Sequence, residues 1–384
     1  MAWLEDFSDD TLDTWRAAGL ERFPATFSTA QLPTSTIDGR EMVLFSSSNY
    51  LGLAEHPRVV AAAVRATRTL GAGSGGSRLT TGTTIAHLAA EADFARFLGY
   101  PSAVLYSSGF AANTGVLQAL AGPGTLILSD ALNHASLIDG CRLAKASGAE
   151  VKVYPNRDVA AVDDALQAHP TRRCLVVTDG VFSMDGTLAP LQELTRVCRA
   201  HGAALMVDDA HGTGTVGESG RGIVEHFRME EDAPDILVAT ASKALGAEGA
   251  VVATSEGVAH VLRQRSRPYV FSTSPAPATC AAISEALEIV SGPESPVAAL
   301  HDNVERLAER LGWGGWDSPI LPVPVGDESR AMEASAALKE AEFFVPAIRW
   351  PTVPRGRAIL RVTVMATHTP EQIDALAGAL GALA

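Results

Sequence analysis

From about Pro101 onward, short runs of β-formers alternate with longer stretches of helical pattern. The runs are Ala103–Tyr106, Thr125–Leu128, Val151–Tyr154, Cys174–Val177, Leu205–Val207 and Ile236–Val238. Several are apolar without a polar alternate, as strands are when helices cover both faces of a sheet, so an α/β fold around a largely parallel sheet is expected. Glycine-containing turns follow many of them, at the strand ends where open α/β sheets place their ligands.

The flanks read differently. Residues 1–45 form an N-terminal arm with a helix expected around Leu12 to Glu21, and residues 46–291 form the large unit. The Gly292-Pro293-Glu294-Ser295-Pro296 stretch reads as a hinge into a smaller unit, residues 292–384, with a helix over Val297–Leu311 and strands over Ile320–Val325 and Ile359–Val364. At 384 residues and 47% hydrophobic, the chain can bury a core for both units. The net charge of −14 argues against a general nucleic-acid binder, since neutralising phosphates takes clustered Lys and Arg. Met1–Asp13 is acidic without the basic and apolar regions of a signal peptide, and no stretch reaches the roughly 20 apolar residues of a membrane span. Cys141, Cys174, Cys198 and Cys280 are scattered without a CxxC pair, so a reducing cytoplasm is expected, with neither disulfide framework nor zinc site.

Chemistry gathers at the strand ends. Lys243 follows Ile236–Val238 in Thr240-Ala241-Ser242-Lys243-Ala244-Leu245-Gly246. Alone it reads equally well as a surface lysine opening a loop; its neighbours decide. Asp208 ends the run Ala203–Val207, and a buried carboxylate there suits pyridoxal 5′-phosphate, which acts as an electron sink only while its ring nitrogen stays protonated. Beyond Asp209 no second carboxylate shell surrounds Asp208, so no metal is expected. Ser108, Gly109 and Phe110, between the Ala103–Tyr106 run and an apparent helix, offer backbone N–H groups to a phosphate. Thr240, Ser272 and Thr273 are further hydroxyl donors, with capping as their commoner use. His134 is placed to stack on the pyridine ring, while His211 and Ser183 are placed to meet its oxygen. Gly71, Gly73 and Gly76 satisfy GxGxxG, which raises an NAD-dependent oxidoreductase as a second reading. Val59–Leu70 before it reads as a helix and not a strand, and no acidic residue ends a following strand at the required ~20-residue distance, so a substrate-facing loop is expected there.

Together, Ser48–Leu53, Gly73–Arg78, Ser108–Asn113, Val181–Gly186 and Thr240–Gly246 resemble the α-oxoamine synthases, nearly end to end. The resemblance implies the aspartate-aminotransferase type of fold (fold type I), with a large domain on a mostly parallel mixed sheet and a smaller C-terminal α+β domain. It further implies a homodimer with its active sites at the interface, so that Thr273 reaches the partner's phosphate. The implied reaction is condensation of an amino acid with an acyl thioester and loss of carbon dioxide, with Lys243 as the Schiff-base lysine. Asp208–Gly214 and Ala347–Pro354 are most similar to the branch that joins L-alanine to a pimeloyl thioester, on coenzyme A or an acyl carrier protein, in biotin synthesis. The aminolevulinate, 2-amino-3-ketobutyrate and serine palmitoyl branches are the alternatives. In this resemblance Arg349 pairs with the amino-acid carboxylate, and Ser77 lies on the substrate side. Relatives carry Asn where this chain has Ser48, with Asn49 beside it as the substitute, and Glu where this chain has Asp179. Arg22 or Arg16 meets the pimeloyl carboxylate.

Overall fold

The computed structural model of the protein describes residues 3–170 and 172–383. A seven-stranded sheet runs β3-β9-β8-β7-β6-β4-β5, formed by β3 (Ser102–Tyr106), β4 (Thr125–Asp130), β5 (Glu150–Tyr154), β6 (Arg173–Asp179), β7 (Ala204–Asp208), β8 (Ile236–Thr240) and β9 (Ala250–Thr254). Strands β5 to β8 are parallel, and β9 runs antiparallel to both β8 and β3. The mostly parallel mixed sheet is the expected one. Strand β9 was not foreseen.

Alternation along the strands sorts side chains into two cores. Leu126, Leu128 and Val176 join one cluster, whereas Ile127, Leu175 and Val177 join the other. Each such buried aliphatic side chain contributes roughly 1.5–3 kcal/mol, so the strand ends that carry polar groups sit on a firm base.

Helix α1 forms over Trp3–Ala17, earlier than expected. Glu5 and Asp6 in its first turn favour the positive end of the helix dipole, and Gly19 with φ +64 lies just beyond its end. Strands β1 (Thr34–Ile37) and β2 (Arg40–Leu44) make a hairpin whose turn residues Asp38 and Gly39 both have positive φ. Residues Phe343–Phe344 (β11) pair in parallel with β2, so the arm is joined to the C-terminal part of the chain. There, β10 (Ile320–Gly326), β12 (Ala347–Ile348) and β13 (Ala358–Thr363) form a second three-stranded sheet, beside a helix over Val297–Arg310.

Helix α2 (Pro57–Leu70) immediately precedes Gly71–Gly76, which lies in the loop before α3 (Ile85–Leu98). With no strand in front, the glycine motif lacks the strand-turn-helix frame of a dinucleotide site. Among the described residues no helix is long and apolar enough to cross a membrane.

Candidate active site

The carboxyl ends of the parallel strands converge on one cavity of about 220 Å³. Asp208 ends β7 and pairs in register with Asp179, which ends β6. Thr240 ends β8, and the following loop carries Lys243. Helices α4 (Gly109–Leu120) and α5 (Ala135–Ala146) begin at the cavity, with Ser108 and His134 as their N-caps. Lys243, Asp208, His134, His211, Ser183, Thr240 and Ser108–Phe110 all line it. Two larger clefts, about 910 and 820 Å³, contain none of these groups.

The Lys243 amine has no hydrogen-bond partner among the described residues, and burial pushes its pKa down to about 8 against the opposing pull of Asp208 and Asp179. Facing it, Asp208 accepts the Asn113 amide at 2.6 Å and the Ala210 N–H at 3.0 Å. Asn113 also donates to Ser136 Oγ at 2.9 Å, and Ser136 Oγ lies 2.7 Å from His134 Nδ1. The backbone N–H of Ser136 donates to the same Nδ1 at 3.3 Å, which makes Nδ1 an acceptor. Burial also holds the His134 pKa below its usual value, so the ring is a neutral imidazole with its proton on Nε2.

Burial, then the neighbouring Asp208, raises Asp179 well above the usual carboxyl range. Behind the site Asp209 is fully buried and pushed up to about 8 by that burial. It fits only beside glycine: a Cβ on Gly222, at φ +90, would stand 1.9 Å from Asp209 Oδ2.

Opposite the carboxylates lies an anion cradle. Ser108 Oγ accepts the Ala111 N–H at 3.1 Å, and the first N–H groups of α4 are those a helix leaves unpaired. Thr240 Oγ1 lies 2.7 Å from Ser242 Oγ and donates to Gly249 O at 3.0 Å. Its proton is therefore engaged by the backbone, and the 2.7 Å contact is the exposed Ser242 hydroxyl donating to Thr240 Oγ1.

Other candidates do not line this cavity. Ser77 and Thr273 pair with each other through a β-bridge. Arg349 follows β12, and Ser48 is half-buried in the stretch after β2. Asn49 is occupied locally, its amide donating to Gln31 O at 3.2 Å and its Oδ1 accepting the Ala54 N–H at 3.2 Å. Arg22 is exposed, and Arg16 is paired to Asp13 and Glu21.

The structure adds residues that the sequence reading passed over. Arg361, 8% exposed on β13, donates to Ser183 O at 2.7 Å, has no carboxylate partner among the described residues, and helps depress the pKa of both Lys243 and His211. An arginine amid the apolar run Ala358–Thr363 was its available signal. Asn113 lay inside a quoted motif but was given no task. Ser136 and Ser242 line the cavity itself, as does Asp179, which the sequence reading named only as a departure from relatives.

These groups supply an amine, a carboxylate, a flat imidazole and an anion cradle around one small cavity. The chain as a whole is similar to known proteins. The profile of the aminotransferase class I and II family matches residues 40–380. The chain is 46% identical to the biotin biosynthesis bifunctional protein BioWF of Corynebacterium kroppenstedtii, over 98% of this chain but 58% of that protein, so it spans little more than half of that relative. It is 45% identical to the 8-amino-7-oxononanoate synthase of Geobacter sulfurreducens, over 96% of this chain and 95% of that one. Among solved structures, Sphingomonas wittichii serine palmitoyltransferase superposes with a TM-score of 0.91 at 33% identity, over 100% of this chain and 97% of that one. The chain thus belongs to the class I and II aminotransferase family and, within it, to the α-oxoamine synthases.

Proposed function

We propose that the chain condenses L-alanine with a pimeloyl thioester, with loss of carbon dioxide and release of the thiol carrier, the reaction of 8-amino-7-oxononanoate synthases in biotin synthesis. The observation that carries the reading is an amine without a hydrogen-bond partner among the described residues, Lys243, facing a hydrogen-bonded carboxylate, Asp208, across a cavity with a helix N-terminus on its rim. That donor set fits pyridoxal 5′-phosphate. The identity to synthases that use this reaction's name favours the alanine and pimeloyl branch.

When bound, pyridoxal phosphate supplies an electron sink for the carbon next to the amino group. Lys243 would hold the cofactor, and its amine would move the proton of the substrate α-carbon. Asp208, pinned by Asn113 and the Ala210 N–H, keeps a proton on the ring nitrogen. His134, fixed through Ser136, would lie against the ring. The first turn of α4, with Ser108, Thr240 and Ser242, holds the phosphate. Ser183 and His211 serve the ring oxygen. Arg361 and Arg349 bind the amino-acid carboxylate, for which a guanidinium fork is suited.

In this reading residues 46–291 carry the cofactor, while residues 292–384, tied to the arm through β2 and β11, carry the two guanidinium groups. The enzyme works as a homodimer, with Thr273 serving the neighbouring site, Ser77 on the substrate side, and Arg22 or Arg16 meeting the distal pimeloyl carboxylate. The acyl group arrives on coenzyme A or on an acyl carrier protein. The test is a matrix of alanine, glycine and serine against pimeloyl, succinyl, acetyl and palmitoyl thioesters on both carriers, with free thiol measured. Turnover confined to alanine with pimeloyl thioester is expected; preference for serine with palmitoyl thioester would overturn the assignment.

A further inference from the structure

Asn49 was expected to serve the site and is occupied by its own loop, yet the next residue of the same motif does reach the machinery. Tyr50 is fully buried, and its hydroxyl lies 2.8 Å from His211 Nδ1, the one hydrogen bond of that hydroxyl among the described residues. Two proton arrangements satisfy this distance. If Nδ1 carried the proton and donated to Tyr50, the phenol's own O–H would be left without an acceptor in a buried place, at the full desolvation cost of an unmet donor. If Tyr50 donates to Nδ1, the phenol and Nδ1 satisfy each other and only the His211 Nε2–H is left open, on a residue that lines the cavity. Burial, with the Lys243 and Arg361 cations nearby, holds the His211 pKa well below its usual value, so the ring is neutral and carries a single proton. With Nδ1 accepting, that proton sits on Nε2, which has no protein partner among the described residues. The backbone at His211 is held independently, since Thr215 Oγ1 donates to the His211 carbonyl.

We propose that Tyr50 is a positioning residue that fixes His211 as its Nε2–H tautomer, making the imidazole a standing hydrogen-bond donor toward the cavity that holds Lys243 and Asp208. A histidine free to exchange tautomers would present an acceptor part of the time and could not hold an oxygen there continuously. What accepts the Nε2–H rests on the cofactor reading above; the tautomer does not, because it is set by the protein alone.

The experiment follows the histidine side-chain nitrogens by long-range proton–nitrogen NMR in the full-length protein, with and without pyridoxal phosphate. His211 is assigned by the signals missing from His211→Gln. Wild-type His211 is expected to show an unprotonated Nδ1 and a protonated Nε2 in both states, and Tyr50→Phe to show mixed tautomers. Tyr50→Phe should also lower kcat about tenfold, a loss of 1.36 kcal/mol in barrier terms, with the alanine KM unchanged, and should shift the pH titration of the bound cofactor's absorption band. A wild-type His211 protonated on Nδ1 would overturn the proposal even if Tyr50→Phe failed to fold. So would a Tyr50→Phe protein with an unaltered nitrogen pattern. Failure to take up pyridoxal phosphate would instead sink the proposed function and leave the tautomer measurement standing.

Discussion

The two walls of the cavity are built by different rules. One comes from the carboxyl ends of β6, β7 and β8 and the first turns of α4 and α5, where each polar group follows its strand within a few residues. The other stands behind the lining residues and comes from segments far apart in sequence: Tyr50 after the arm hairpin, bonded to His211, and Arg361 on a strand of the small sheet that reaches back to the Ser183 carbonyl. A strand end in a parallel sheet is a local instruction, whereas the second wall exists only once distant segments have packed. The first wall should therefore control chemistry, with Tyr50 acting on it through His211, and Arg361 on the second should control recognition.

The largest test of that division is Lys243→Ala. Removing the proton-transferring amine is expected to lower kcat by ~10²–10⁴-fold or more and to leave no lysine–cofactor adduct after borohydride reduction, read by mass spectrometry. Turnover within tenfold of wild type would take the chemistry away from the first wall.

Replacing Arg361 probes the second wall. Charge-assisted hydrogen bonds contribute ~1.5–3 kcal/mol, so Arg361→Lys should raise the alanine KM roughly 10- to 100-fold with a smaller change in kcat. Arg349→Ala should raise the same KM by less, because Arg361 lines up behind the Ser183 carbonyl and influences Lys243 electrostatically, whereas Arg349 lies on the loop after β12. Alanine titrations of the two variants decide the order, and a larger effect at Arg349 would reverse it.

The same division explains what could be read from sequence. Lys243 and Asp208 were legible because an apolar run announces a strand and its last residue announces the cavity. The Gly71–Gly76 motif was legible as something other than a dinucleotide turn, because Val59–Leu70 has helical and not strand character. Arg361 was not, since an arginine in an apolar strand carries no mark of which way it faces until β13 pairs with β10 and β12. Asn113 was hidden for another reason: its task, bridging Asp208 and Ser136, joins a helix to a strand 95 positions away. Strand β9 escaped because it reverses direction after the Lys243 loop, and a five-residue apolar run records no direction.

A pH experiment sharpens the chemical wall. In the cofactor-free protein the Lys243 pKa lies at about 8, and only the neutral amine can attack an aldehyde. The rate of pyridoxal phosphate capture should therefore rise about tenfold per pH unit below that value and level off above it. The measurement is stopped-flow absorbance, and a plateau reached only near pH 10 would mean that burial does not set the amine's affinity for protons.

The smallest effect is expected at Asn49, and it bears most directly on where the second wall ends. Its amide bridges Gln31 O and the Ala54 N–H, so Asn49→Ala removes one hydrogen bond to the N-terminal arm and one within the segment that carries Tyr50. Losing them should cost about 1–2 kcal/mol of stability, visible as a lowered Tm. The alanine KM should stay within about twofold, because nothing that touches substrate has been removed. A tenfold rise in that KM without loss of stability would give Asn49 the carboxylate after all, and would make the stretch after β2, in place of β13, the surface that recognises the amino acid.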